Sequence, residues 1–184
     1  SCFEGADPRL EVLFNLSREL NALSEIDDVL ERVAAAVFEC LPAANYFVAT
    51  RVAEENALAA TTTLHCAYRP GVPAEVEGPR LSQSILARVI ESRESVLFIE
   101  GADGDLESGS LLAAGIASCI CVPLVGHRRR VLGFVHVDSR GGADLLEQAD
   151  LQAMSVLASS AAFAVERAAL TQEIRATFES FVGA

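Results

Sequence analysis

Between residues 115 and 140 the chain reads GIASCICVPLVGHRRRVLGFVHVDSR, two apolar segments (117–125 and 131–138) joined by a basic turn at 126–130. Each segment is too short for a helix that buries a face. Val, Ile, Cys and Phe stand on both parities, as in strands covered on both sides. The pair predicts an antiparallel hairpin, with Gly126 opening the turn and the residues through Arg130 solvating it. Pro123 has no amide donor and is expected at a strand edge or bulge. Such a hairpin needs a layer on each face, and the rest of the chain reads as those layers.

Before the hairpin, residues 8–23 place Leu10, Leu13, Phe14, Leu16, Leu20 and Leu23 at helical spacing, with Asp7 as cap and Pro8 in the first turn. A second helix starts between Ser24 and Asp27 and carries Ile26, Val29, Leu30, Val33, Val37 and Leu41 along one side until Pro42 ends it. Residues 45–52 and 57–68 read as a strand pair, and Thr61, Thr62 and Thr63 favour strand over helix. After a Pro- and Gly-rich loop at 69–79, Ser82 caps a short helix with Ile85, Leu86, Val89 and Ile90 on its inner side. Residues 95–99 form a buried strand, 100–110 a loop, and 111–115 suit one helical turn. A last helix begins near Glu147 and runs past Phe178, roughly 50 Å at the α-helical rise. Its first half is almost wholly apolar or small. Its second half narrows to Phe163, Leu170, Ile174, Phe178 and Phe181, a spacing closer to a coiled-coil seam than to a domain core.

The order small residue, Ser118, apolar run, Val122-Pro123-Leu124, turn, Val131-Leu132-Gly133-Phe134, then Val137-Asp138-Ser139-Arg140 resembles the second half of GAF domains. The resemblance spans roughly residues 10–170. It implies an α+β (mixed α/β) fold: an antiparallel sheet with the N- and C-terminal helices on one face, and short helices and loops forming a pocket on the other. Residues 1–9 would be an N-terminal extension, 10–170 the domain, and 171–184 a helical extension toward an output domain. The implied pocket is bounded by 82–92, 100–115 and one face of the hairpin, with Phe98, Leu112, Cys119, Cys121, Phe134 and His136 as candidate lining.

Net charge of -12 argues against a nucleic-acid face or an anionic membrane contact in this segment. No apolar run reaches the roughly 18 to 20 residues of a bilayer span. The first ten residues lack the basic start and apolar region of a signal peptide, so a cytoplasmic setting is expected. The five cysteines form no metal-ligand pattern and read as reduced thiols. Cys119 and Cys121 share a strand face about 6.6 Å apart by the strand rise, too far for an easy disulfide.

His136, in phase with Phe134 and Asp138, can be read in two ways. It is a satisfied core histidine beside small apolar cysteines, or with Cys119 and Cys121 it ligates a metal or haem or senses oxidants. His65-Cys66 reverses the Cys-His order of bilin-attaching GAF domains and lies before the pocket helices. Of the Asn-Lys, Phe and Asp-Glu set of cyclic-nucleotide-binding GAF domains only Asp150 matches, and it suits a first-turn acid facing the helix dipole. No catalytic residue, metal site or enzyme motif is identified, and no enzyme activity is expected.

The resemblance implies a sensory domain of a bacterial signalling protein that binds an unidentified small molecule. Through a homodimeric helix bundle it would control a C-terminal output module of the same chain, of the transcription-activator kind. Leu13, Leu20, Phe163, Leu170, Ile174 and Phe178 are the candidate dimer and signalling positions. The alternatives are a ligand-free dimerisation platform and a redox or metal sensor through His136, Cys119 and Cys121. Ligand and cofactor identities are not legible.

Overall fold

The computed structural model describes residues 8–52, 61–72, 83–100, 115–140 and 144–182. The hairpin is its centre. Strands β4 (Ile116–Val125) and β5 (Val131–Arg140) pair from Ile116 opposite Arg140 to Val125 opposite Val131. A single 3-10 turn at His127–Arg129 joins them, with Arg128 and Arg129 in the left-handed region. Around the hairpin stand β1 (Tyr46–Val52), β2 (Thr61–Tyr68) and the short β3 (Val96–Ile99), in the order β2-β1-β5-β4-β3, every neighbouring pair antiparallel. Four helices complete the described residues: α1 (Pro8–Leu20), α2 (Ile26–Cys40), α3 (Gln83–Ser92) and α4 (Gln148–Val182).

Both parities of the hairpin are apolar because both faces are covered. Ile120, Val122, Leu124, Val135 and Val137, with Phe47 and Ala49 of β1, join one core with α1, α2 and α4. Cys119, Cys121 and Phe134, with Phe98 of β3, join a smaller one with Ile85, Leu86, Val89 and Ile90 of α3. The predicted layering and the four inward positions of α3 are as observed. Gly133 is fixed by space: a Cβ there would lie 1.8 Å from the Thr50 carbonyl oxygen, so only glycine lets β1 approach β5. Pro123 sits inside the sheet, yet β3 begins at Val96 opposite Cys121 and does not reach it, and a register shift follows at Leu124/Val125. No β3 residue therefore faces its missing amide donor.

α1 ends three residues earlier than its apolar spacing suggests. Arg167 of α4 donates to the Leu20 and Leu23 carbonyls (2.8 Å to the latter), so the orphan acceptors at this helix end are met by a side chain. At the start of α4, Asp150 accepts the Glu147 amide at 2.8 Å and pairs with Arg9 at 3.0 Å. That is half of a capping box, with α1 tied to the same carboxylate.

α4 packs on α2, β4 and α1 through Met154, Leu157, Ala158, Ala161, Ala162 and Val165. By length and composition it is apolar enough to cross a membrane, although no unbroken apolar run in the sequence is. Alanines make the difference, and they let α4 lie close to its neighbours as a core helix. Beyond Ala168 its burial stops. Phe163, Leu170, Ile174, Phe178 and Phe181 are 54 to 80% exposed. The described helix continues about 18 Å past Leu170 at the α-helical rise, steadied there by Glu25, which pairs with Arg175 at 2.8 Å and accepts from Gln172 at 3.0 Å.

Candidate functional site

The sheet face turned away from α1, α2 and α4 carries two different surfaces. On β3, on β4 and at Phe134 of β5 it is apolar and closed: Phe98, Cys119, Cys121 and Phe134 are buried against α3. On β1 and β5 it is polar and buried. Register places Tyr46 opposite Asp138, Val48 opposite His136 and Thr50 opposite Phe134, so alternation puts all six on this face. Tyr46 Oη, Thr50 Oγ1 and His136 Nε2 are buried and have no hydrogen-bond partner among the described residues. An unpaired buried hydroxyl or imidazole nitrogen costs about 1–3 kcal/mol. Three on one face of two adjacent strands is a concentration that packing alone does not call for.

The charges beside them are satisfied. Asp138 is 1% exposed and takes two contacts from Arg140 Nε, at 3.2 and 3.1 Å, and one from the outer guanidinium nitrogen at 2.8 Å. The Arg140 guanidinium also lies 5.7 Å from the centre of the Tyr46 ring. The Arg140 amide donates to Asn45 Oδ1 at 2.8 Å, which holds this end of β5 against the start of β1. Tyr68 packs on Tyr46 with ring centres 4.7 Å apart.

These surroundings keep the titratable groups neutral. Burial, and secondarily the Arg140 charge, lowers His136 to about 4. Burial raises Tyr46 well above the usual phenol range, with Cys66, Tyr68 and Asp138 adding to it. Burial, with Asp138 beside it, raises Cys119 to about 12, and burial also raises Cys121. Thiols held protonated are poor metal ligands and slow nucleophiles. Among the described residues no group of three or more His, Cys, Asp or Glu side chains is placed to hold a metal.

The expected phase of the hairpin is therefore found: Cys121 stands opposite His136 and Cys119 opposite Asp138. What these residues do there is divided. Phe98, Cys119, Cys121 and Phe134 fill the face, whereas His136 offers an unpaired atom. Leu112 lies outside the described residues, as does most of the 100–115 boundary. His65 is half-buried with its ring 6.2 Å from Phe47, and Cys66 is exposed on the edge strand β2. Tyr46 and Thr50 were not among the expected lining. Their signal was present as a same-parity pair of hydroxyls in the otherwise apolar run YFVAT, and likewise His136, Asp138 and Arg140 alternate along β5.

The candidate signalling positions also divide. Phe163, Leu170, Ile174 and Phe178 are exposed. Leu20 is buried and Leu13 half-buried in the chain's own core, because that stripe of α1 packs against α2 and α4. The exposed apolar residues of α1 are Leu10 and Phe14 instead. A further contact joins α4 to the hairpin: the His127 amide donates to Glu166 Oε2 at 2.9 Å, and a Cβ at Gly126 would lie 3.0 Å from the same carboxylate.

The family model described as GAF domain matches residues 24–166. The chain belongs to the GAF domain family. Solved structures agree with this GAF fold. The chromophore-binding domain of the bacteriophytochrome RpBphP3 from R. palustris superposes with a TM-score of 0.67 at 9% identity over 89% of the chain, which spans 62% of that domain's length. The phycocyanobilin-bound GAF domain of a cyanobacterial phytochrome gives 0.66 at 12% identity, covering 90% of this chain and 98% of that one. The GAF domain of an Acinetobacter phosphoenolpyruvate-protein phosphotransferase gives 0.65 at 15% identity, covering 91% and 99%. At such identities the likeness bears on the fold. No curated protein sequence matches the chain.

Proposed function

We propose that this GAF domain is the sensory part of a signalling protein and binds a small molecule on the polar half of its α3-side sheet face. The observation that carries the reading is the trio of unpaired buried atoms, Tyr46 Oη, Thr50 Oγ1 and His136 Nε2, on adjacent strands. A bound molecule that pairs them recovers the cost of burying them, and does so only in the arrangement that presents all three. That difference in affinity is what biases one arrangement over another.

The readout runs through β5 and its hairpin. One end of β5 carries His136, Asp138 and Arg140, and the hairpin tip at its other end holds Glu166 of α4. In a parallel homodimer the exposed residues from Phe163 to Phe181, with Leu10 and Phe14 of α1, form the seam, and a small rotation of α4 passes along it. The output we propose is a transcription-activator module of the same chain, in the cytoplasm, following the resemblance carried by Val137-Asp138-Ser139-Arg140. No enzyme activity is assigned to the domain, and its acidic surface suits neither nucleic acid nor an anionic membrane. A ligand-free dimerisation platform is the second reading, favoured by the closed packing of Phe98, Cys119, Cys121 and Phe134 under α3.

Spin labels separate the two. With Cys2 and Cys66 changed to Ser and a nitroxide at Thr177→Cys, dipolar spectroscopy reads the distance between the two α4 helices. A sensor changes that distance between the chain as purified and the chain refolded after dialysis in denaturant. An unchanged distance refutes the sensor mechanism, and no intermolecular distance refutes the bundle.

A further inference from the structure

We infer a second binding site, on the helix-covered face of the sheet and apart from Tyr46 and His136, for a free α-amino acid with an apolar side chain. It is a cavity of about 180 Å³ between α4 and the end of the sheet nearest the hairpin tip. On α4 the row Val165, Ala169 and Glu173 stands at i, i+4 and i+8, on one side of the helix. Alanine in the middle of that row leaves a hollow that a longer side chain would fill. Leu64, Leu124 and Leu132 of the sheet form the opposite wall.

Four charged residues border this apolar hollow, one sign on each wall. On the sheet side, Arg51 of β1 and Arg130 just before β5 are exposed, and their guanidiniums make no hydrogen bond or ion pair among the described residues. On the α4 side, the Glu173 carboxylate makes none either, and Glu166 commits one oxygen to the His127 amide at 2.9 Å and keeps the other open. A lone anion would meet two guanidiniums but also two carboxylates, and a lone cation the reverse, so neither gains much net attraction. A zwitterion gains from both walls. Its carboxylate takes the arginine forks and its ammonium takes the glutamates.

Volume limits the body. The hollow is below the range of about 300–1,000 Å³ that takes drug-sized molecules, and a little above the roughly 150 Å³ that encloses a benzene ring. It therefore holds one phenyl or branched alkyl group, and no nucleotide, haem or bilin. Leu170, 54% exposed, borders the hollow where α4 leaves the domain. An occupant that joins Glu166 and Glu173 to Arg51 and Arg130 clamps the helix at the root of its free half. The site is thus a second input to α4, independent of any molecule bound near His136.

The test titrates the whole chain with L-phenylalanine and L-leucine, and with two analogues of the former that each lack one charge: phenylpropionate (no ammonium) and phenethylammonium (no carboxylate). NMR follows the His127 amide and the Leu132 methyls. At least one of the amino acids is expected to shift both signals, and phenylalanine to bind at least about tenfold tighter than either analogue. Arg130→Ala should weaken phenylalanine about fivefold or more and leave phenethylammonium as it was, since only the first carries a carboxylate; a damaged fold would weaken both. Ala169→Leu, which fills the hollow, should abolish binding of every probe. An analogue that binds as tightly as phenylalanine overturns the zwitterion class. Shifts at His136 and Tyr46 in place of His127 and Leu132 overturn the location. If neither amino acid shifts any of these signals, the hollow is a packing gap and the site falls, while the ligand proposed for the other face is untouched.

Discussion

His136 supplies a pH dependence whose sign and size follow from its surroundings. Buried on the polar half of the face and near Arg140, its imidazole is lowered from 6.5 to about 4. In the unfolded chain it titrates normally. Between those two values the unfolded state binds a proton that the folded state refuses, so stability rises with pH across the window. The contribution is complete above pH 6.5 and is lost as pH falls toward 4, with a limiting slope of about 1.4 kcal/mol per pH unit. The total is about 3 kcal/mol, a large share of the marginal stability of a domain this size. Replacing the ring with an apolar side chain, His136→Leu, removes the titrating group and the unpaired nitrogen together. Urea unfolding followed by circular dichroism at pH 7, 6, 5 and 4.5, at one protein concentration, compares the two chains. Carboxylates elsewhere affect both alike and cancel in the difference. The variant is expected to match or exceed the parent at pH 7, where the two differ only by packing and the lost unpaired nitrogen, and to gain on it steadily as pH falls. Parallel curves would refute the claim that His136 is buried and neutral, and a variant losing ground in acid would show its charged form to be the paired one.

Three other expectations rest on separate features. Gly133→Ala forces a methyl against the Thr50 carbonyl and must part β1 from β5, so a loss of about 3 kcal/mol or more is expected in urea unfolding, against under 1 kcal/mol if the strands can slide apart freely. Ile174→Asp with Phe178→Asp should convert a dimer to a monomer in sedimentation equilibrium without altering the circular dichroism of the core, since both side chains are exposed; a persisting dimer places the interface elsewhere. In a Cys2→Ser chain, a thiol reagent at pH 8 should modify Cys66 quickly, and Cys40, Cys119 and Cys121 only on unfolding. Fast labelling of Cys119 or Cys121 would reopen the redox reading.

The fold was legible because its hairpin can be built in few ways. Two apolar runs with both parities filled demand two covering layers, and the amphipathic helices around them provide one large and one small. Gly133 and Pro123 were readable as motif, but their reasons were not. The first depends on how near β1 comes, and the second on where β3 begins. The candidate site was half legible. Parity alone placed His136 with Cys119 and Cys121, but it could not say that α3 closes over the cysteines and leaves the histidine nitrogen unpaired. Tyr46 and Thr50 belong to a strand nearly ninety residues before β5, and only the register between the two brings them to His136. Leu20 shows the converse difficulty. An apolar stripe on α1 reads the same whether it meets another chain or its own α2 and α4, and contact with the latter decides it.

Native mass spectrometry of the purified chain, before and after mild denaturation, weighs both the bound molecule and the assembly. A ligand-binding dimeric sensor gives a dimer that carries a reproducible small mass, lost on denaturation and absent when Tyr46→Phe and His136→Leu are combined. A dimer of bare chain mass would contradict the ligand and leave the platform. A monomer would contradict the bundle through which any signal is proposed to pass.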